Sequence, residues 1–353
     1  MIRLFCTKKL AEMLPVIPEP CTDEIPELDC WYLTTATVQG KPAVVAMCLN
    51  TRFSFILQGL KKTQYGKLPE LVADGIRKIF KFYGIRQEIT ENYLAETPML
   101  CTGLDKNALG RLNRLTINIS NMRLHRRPTD QIPLEYVRII NMIPVDVTKK
   151  DAFFPLDRML NRLEARYGMK PICRPAYEMT FTMDLEISTA KRTLLVPAEY
   201  TFAELHLALQ TAFGWENRHV YRFTVDGERI APPDWLTVSP EDTYTPAAGV
   251  CLSERLEAGK TFTYQYDFGD NWTMTARVDG VKPGFDQTQS VCTLCEGVAP
   301  PEDVGGVPGF IQFIKAYNDP NHPKHNAMRE WVGHYWSPKP TTQCINLALE
   351  RNH

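Results

Sequence analysis

Apolar and polar positions along the chain switch repeatedly between a period of two and a period near 3.6, so strands and helices alternate through both halves. In the front half, "IRLFCT" reads as a short strand. In "WYLTTATVQGKPAVVAMCLN" two β-rich runs flank Gln39-Gly40-Lys41, the pattern of a hairpin with Gly40 in its turn. Leu68, Leu71, Val72, Ile76, Ile79, Phe80 and Tyr83 recur at helical spacing. Pro69 suits the first helical position and Gly84 the stop. A second helix is predicted over 105–123, with Leu109, Leu112, Leu115, Ile119 and Met122 on its apolar side. A third is predicted over 151–168, with Leu156, Met159, Leu160, Leu163 and Tyr167 together. The back half opens on the alternating strand "YEMTFTMDLEIS". A helix capped by Thr201 and ended by Gly214 follows, then the strand "HVYRFTVDGE", an aromatic-rich hairpin at 262–278, and two late helices in "GFIQFIKAYND" and "HNAMREWVG".

The architecture that follows is α+β, in two domains, each a small, mainly antiparallel sheet with packed helices. The two prolines and poor periodicity of "MKPICRPA" mark a linker. The expected division is a domain over 1–150, a helix and linker over 151–176, and a second domain over 177–353. A length of 353 residues with 44% hydrophobic positions is enough for two cores.

The hairpin carries the densest chemistry. Phe262, Tyr264, Tyr266 and Phe268 alternate on one strand, and Trp272, Met274, Ala276 and Val278 on the next. Tyr264, Tyr266, Phe268 and Trp272 are therefore expected as inward core, with Gln265, Asp267 and Thr273 outward and a turn at Gly269-Asp270-Asn271. Asp267 and Asp270 sit at the tip, where aspartate also serves as a turn former. A second acidic loop is "PPEDVGG", where the prolines stiffen the approach and Gly305-Gly306 let the backbone turn, presenting Glu302 and Asp303. If the two loops meet, four carboxylates beside His219 could hold Mg²⁺ or Ca²⁺, bind a basic partner, or pair with arginines. The spacing matches no dedicated metal loop, so neither a metal nor a cofactor is assigned. His219 could serve as a general base or simply hydrogen-bond near the hairpin. His206, on the predicted helix, is expected to be structural or exposed.

Other features point less sharply. Cys292 and Cys295 form a C-x-x-C, half of a zinc site. His322, His325 and His334 follow, without the usual histidine spacing. The remaining eight of ten cysteines stand alone, as in a reducing compartment. Residues 1–165 hold 23 Lys and Arg against 18 Asp and Glu, a mild basic surplus, although the whole chain has a net charge of −1. "RLHRRP" places Arg123, Arg126 and Arg127 together, a candidate phosphate contact or a solvated helix end. An apolar run long enough to cross a membrane is absent, as are signal-peptide features, so a cytoplasmic protein with no membrane partner is expected. The G-x-S-x-G, P-loop, H-E-x-x-H and G-x-G-x-x-G signatures are also missing.

The segments "FAELHLALQTAFGW", "HVYRF", "YQYDFGDNW", "CEGVAPPEDVGGVPGF" and "REWVGHYWSP", with Asn346, occur in order over 177–350. In these segments the back half resembles the plasmid pRiA4b ORF-3-like family. The resemblance implies an α+β domain of bacterial origin, often carried on plasmids or as a transposon passenger, and it assigns no catalytic residue. Relatives usually have histidine two positions after the hairpin tryptophan; this chain has Met274, which weakens an enzymatic reading. The front half, through "CTKKL", "WYLTTATVQGKPAVVAMCLNTRFSFIL" and "ALGRLN", is similar to the DUF6933 family, which implies no activity. The functional expectation is a binding or interaction module for a protein or small-molecule ligand, associated with mobile elements. Two alternatives stay open: a metal-dependent hydrolase or nuclease built on Asp267, Asp270, Glu302 and Asp303, and nucleic-acid binding by the basic front half.

Overall fold

The computed structural model describes the chain apart from residues 17, 22–23, 104–105, 123–129, 147–151, 240, 242, 334–335 and 353. It divides into two compact units, Met1–Ile172 and Cys173–His353. Among the described residues, no helix is long and apolar enough to cross a membrane.

The first unit is built on five strands: β1 (Arg3–Cys6), β2 (Cys30–Val38), β3 (Lys41–Cys48), β4 (Ser54–Gln58) and β5 (Met99–Cys101), in the order β4-β3-β2-β1-β5. β2 and β3 form the expected hairpin. Gln39 and Gly40 both take positive φ, 47° and 80°, as a two-residue turn matched to strand twist requires. β1 lies parallel to both β2 and β5, so this sheet is mixed; long connections carry the chain back to the same end between these strands. The helices are α1 (Lys8–Ala11), α2 (Leu68–Phe82), α3 (Gln87–Tyr93), α4 (Lys106–Asn121), α5 (Leu134–Met142) and α6 (Pro155–Tyr167).

Apolar side chains of α2, α3 and α6 pack on one face of the sheet, against Trp31, Leu33, Val44 and Phe55. Those of α4 and α5 pack on the other, against Tyr32, Val45, Met47 and Ile56. With both faces covered, β3 and β4 are nearly continuous apolar runs rather than alternating ones. Leu156, Met159 and Leu163 of α6, together with Ile172, belong to this unit's core.

The second unit contains an eight-stranded sheet: β6 (Arg174–Asp184), β7 (Thr189–Pro197), β8 (Tyr221–Val225), β9 (Glu228–Ala231), β10 (Thr245–Pro246), β11 (Thr261–Tyr266), β12 (Trp272–Phe285) and β13 (Val291–Glu296). The order is β10-β9-β8-β11-β12-β6-β7-β13, with every pairing antiparallel except β10 with β9. Its helices are α7 (Phe202–Phe213), α8 (Trp235–Val238), α9 (Gly306–Asn318), α10 (His325–Val332) and α11 (Thr342–Asn352). Here burial alternates strictly along β11 and the first half of β12, the mark of one covered face. The covered side carries Phe181, Leu194, Phe223, Phe262 and Tyr264, and side chains of α7 and α9 close the core over it. Thr201 caps α7 through a capping box with Glu204, and Gly214 ends it at φ 77°.

Candidate functional site

The hairpin register brings the first two groups together. Tyr266 pairs with Trp272 across β11 and β12, leaving a five-residue connection, 267–271. On its other side Tyr266 pairs with Tyr221 of β8. The antiparallel ladder continues one step further, where the Asp267 N–H donates to the Val220 carbonyl at 3.1 Å. Val220 is thereby opposite Asp267, and His219, one residue earlier, stands beside the hairpin tip.

Asp267 is where the strand alternation ends. It takes φ 53°, in the left-handed region that Asp tolerates better than most residues. Its carbonyl accepts from the Asn271 N–H at 2.5 Å, and its carboxylate accepts from the Gly269 N–H at 2.9 Å. The backbone rotation reverses the sides expected from simple alternation. Asp267 is buried, whereas Phe268 leaves the inner core and lies half-buried edge-on to Trp235, 5.0 Å between ring centroids, with the Arg222 guanidinium over it. Tyr264, Tyr266 and Trp272 are inward and fully buried, and Gln265 is half-buried.

The acidic loop docks on this tip. Trp215 Nε1 donates to the Pro300 carbonyl at 3.0 Å and Trp336 Nε1 to the Ala299 carbonyl at 2.7 Å, pinning its start. Its end is held by the Gly305 N–H, which donates to Asp270 Oδ2 at 3.0 Å. Gly306 lies so close to the tip that a Cβ there would meet the Asp270 carbonyl oxygen at 3.0 Å. The two acidic loops therefore meet, and His219 stands between them. Its Nε2 lies 2.8 Å from Asp303 Oδ1, 3.7 Å from Asp267 Oδ2 and 3.8 Å from Glu302 Oε1. One ligand atom each from His219, Asp267 and Asp303 fall within 4.8 Å of one another, a grouping that could hold a metal ion. Asp270 acts on the loop backbone rather than on this group.

Tyr266 positions Glu302. Its hydroxyl donates to Glu302 Oε1 at 2.5 Å and accepts the backbone N–H of Arg218 at 3.0 Å and of His219 at 3.4 Å. Burial first, then the Glu302 carboxylate, push this phenol far above its ordinary range, so it remains a donor. Glu302 Oε2 accepts the Glu216 N–H at 3.2 Å. The carboxylates of Asp267 and Glu302 are largely withdrawn from water, and Asp303 is half exposed. Arg218 NH1 stands 3.7 Å from Asp303 Oδ2. Three carboxylates thus converge on one imidazole, with the Arg218 guanidinium at the rim, a negative excess among the described residues that favours a cation.

The role of Tyr266 was not readable from its place in an alternating strand. The hint is chemical: a buried tyrosine requires a partner for its hydroxyl. His206 is buried, with both ring nitrogens bonded, to Tyr264 at 2.8 Å and Asn217 at 2.7 Å. Met274 faces the core opposite Tyr264, outside the His219 group. Cys292 and Cys295 lie on edge strand β13, and burial pushes the Cys292 thiol up to about 11. His325 Nδ1 lies 3.0 Å from the Ala316 carbonyl, and the His322 ring accepts the Lys324 N–H at 3.1 Å. No cysteine belongs to a metal-capable group among the described residues. His334, and Arg123, Arg126 and Arg127, lie outside the described residues.

Residues 175–342 match the plasmid pRiA4b ORF-3-like protein family, and 175 residues are 33% identical to the uncharacterised protein y4hQ of Sinorhizobium fredii, covering 48% of this chain and 88% of that one. The chain belongs to the plasmid pRiA4b ORF-3-like family. The site described above lies wholly within the family's segment. Residues 3–158 match a domain of unknown function, DUF6933, so the order of the two families along the chain is the one the motifs suggested. A solved structure of a protein of unknown function from Methanosarcina mazei Go1 is 26% identical, covering 48% of this chain and 96% of that chain at a TM-score of 0.41.

Proposed function

We propose that the pRiA4b ORF-3-like unit is a binding module organised around a divalent-cation site, with His219, Asp267 and Asp303 as ligands and Glu302 as a fourth donor. The observation that carries this reading is the convergence of those groups on one point from three separate loops. A donor set of one imidazole and several carboxylates suits Mn²⁺, Fe²⁺ or Zn²⁺ better than Ca²⁺, which prefers six to eight oxygens. Binding requires a neutral imidazole with its proton on Nδ1, so the cation would replace the contact between His219 Nε2 and Asp303. Asp303 and His219 face solvent, which leaves coordination positions for an external ligand.

A second reading, metal-assisted hydrolysis, is favoured by a cavity of about 330 Å³ lined by His219, Arg218, Asn217 and Asp234, where a substrate could meet the cation. Calorimetric titration with Mn²⁺, Zn²⁺, Mg²⁺ and Ca²⁺, alongside native mass spectrometry, tests the site. Saturable binding that weakens at least about tenfold in His219→Ala supports it, since a lost ligand costs more than about 1.4 kcal/mol. An absence of binding at millimolar concentrations would overturn both readings. Turnover of phosphate esters by the metal-loaded protein separates the second from the first.

A further inference from the structure

The first unit holds a cavity of about 300 Å³ bounded by the β3–β4 turn, α4, α5 and the residues that follow α5. It is near the lower end of the size of small-ligand pockets, roughly 300–1,000 Å³. Its floor is apolar, with Met47, Leu115, Met122 and Ile140. Its rim is cationic. Arg111, Arg114 and Asn118 of α4 line it together with Leu115 and Met122, and the spacing of three, four, seven and eleven from Arg111 puts all five on one helix face. Ala108, Leu112 and Ile119 lie roughly a quarter-turn further round the helix, buried on the sheet, and Leu115 and Met122 pack against the same cluster. The stripe of α4 at the cavity is mixed in character: Arg111, Arg114 and Asn118 are exposed, and Leu115 between them is half-buried.

Arg52 supplies the third guanidinium, and its backbone is unusual. It takes φ 61° at the β3–β4 turn, a conformation that asparagine or glycine would adopt at lower cost, and its side chain is buried. Its NH1 donates to the Leu49 carbonyl at 2.8 Å, while NH2 is 3.8 Å from Asp146. Among the described lining residues, Asp146 is the carboxylate set against three arginines. Burial, then the charge of Arg111, pull the Arg52 guanidinium down to about 10, with Asp146 acting the other way. Among the described lining residues positive charge is in excess: Arg52 is buried, and Arg111 and Arg114 are exposed beside the apolar floor. A strained turn that buries an arginine beside two others is the kind of local cost that a ligand site explains.

We propose that this cavity binds a small organic anion, a carboxylate or phosphate monoester on an apolar body, with its head on Arg52, Arg111 and Arg114 and its body on Met47, Leu115 and Ile140. Arginine forks match both oxyanion heads, and the apolar floor requires a body that inorganic anions lack.

Methionine-methyl NMR of the full chain tests this, because Met47 and Met122 line the cavity and report occupancy directly. The probes are octanoate, octyl phosphate, octanol and inorganic phosphate. Octanoate or octyl phosphate is expected to shift both methyls saturably, and the stronger of the two identifies the head. Octanol and inorganic phosphate should bind at least about tenfold more weakly, and the paired substitutions Arg111→Gln and Arg114→Gln should weaken the anions about tenfold or more. Both arginines are exposed, so the variant should keep the fold, which its unperturbed methyl spectrum would show. Equal binding of octanol, unshifted Met47 and Met122 methyls, or undiminished anion affinity in the variant would each overturn the proposal.

Discussion

His206 Nδ1 lies 2.8 Å from the Tyr264 hydroxyl, inside the core of the second unit. That contact is one step of a closed ring. Gln210 Nε2 donates to the Tyr264 hydroxyl at 3.0 Å, and the hydroxyl donates to His206 Nδ1. His206 Nε2–H donates to Asn217 Oδ1 at 2.7 Å, and the Asn217 backbone N–H donates to Gln210 Oε1 at 2.8 Å. The imidazole also stacks flat on Tyr221, 3.6 Å between centroids. Every donor and acceptor is matched only when His206 is neutral.

A pH dependence of stability follows. Burial pulls His206 down from 6.5 to about 4, with Asn217 opposing. As pH falls, the unfolded chain therefore takes up this proton before the folded one. The contribution is full above about pH 6.5 and is lost progressively down to about pH 4, in all about 3 kcal/mol. Urea unfolding of the second unit should show a loss of about 2 kcal/mol between pH 7 and pH 5 from this group. A His206 NMR resonance titrating near 6.5 would contradict the assignment.

Tyr266 offers a test of positioning rather than binding. In Tyr266→Phe, Glu302 loses its donor and the Arg218 and His219 N–H groups lose their acceptor. Leaving buried polar groups unpaired costs about 1–3 kcal/mol. Thermal unfolding should show that loss, and cation affinity should fall with it although no ligand atom has been removed.

Much of this arrangement was legible in the sequence, and the exceptions share a cause. The alternation of Phe262, Tyr264 and Tyr266, and of Trp272, Met274 and Ala276, predicted the buried face because strand periodicity is local. The reversal at Asp267 was not legible, since nothing in the residue types distinguishes Asp at φ 53° from Asp in an extended strand. That single dihedral decides whether Asp267 or Phe268 points inward. Likewise, glycines and prolines announced a turning loop at 300–306, but its docking on Asp270 depends on long-range anchors from Trp215 and Trp336. Helix α4 shows the same limit: Leu109 was expected on the apolar side, yet Ala108 is buried and Leu109 exposed, because the buried stripe is centred on Ala108, Leu112 and Ile119 and Leu109 lies at its edge.

Gly306 tests whether loop docking creates the site. It takes φ 66°, and a Cβ there would press on the Asp270 carbonyl oxygen at 3.0 Å. Gly306→Ala should cost about 1–2 kcal/mol from the left-handed backbone alone and push the loop off the hairpin tip. Glu302 and Asp303 would move with it. Cation affinity measured by calorimetry should therefore drop, whereas the His206 ring, which the loop does not contact directly, should keep its NMR signature. Unchanged affinity would mean that the loop is held by other contacts.

Asp267 separates the structural role of this residue from its electrostatic one. Asparagine keeps the shape of the side chain, tolerates φ 53° and can still accept from the Gly269 N–H. Asp267→Asn should change stability by no more than about 0.5 kcal/mol, while removing one charged donor should weaken cation binding at least about tenfold. Alanine removes the charge and the turn chemistry together. Asp267→Ala should lose about 1 kcal/mol for the left-handed conformation and about 1 kcal/mol for the turn hydrogen bond. Chemical denaturation and metal titration on the two variants resolve the roles. If both variants lose stability equally and neither changes cation affinity, Asp267 is a turn former alone, and the site's negative charge rests on Glu302 and Asp303.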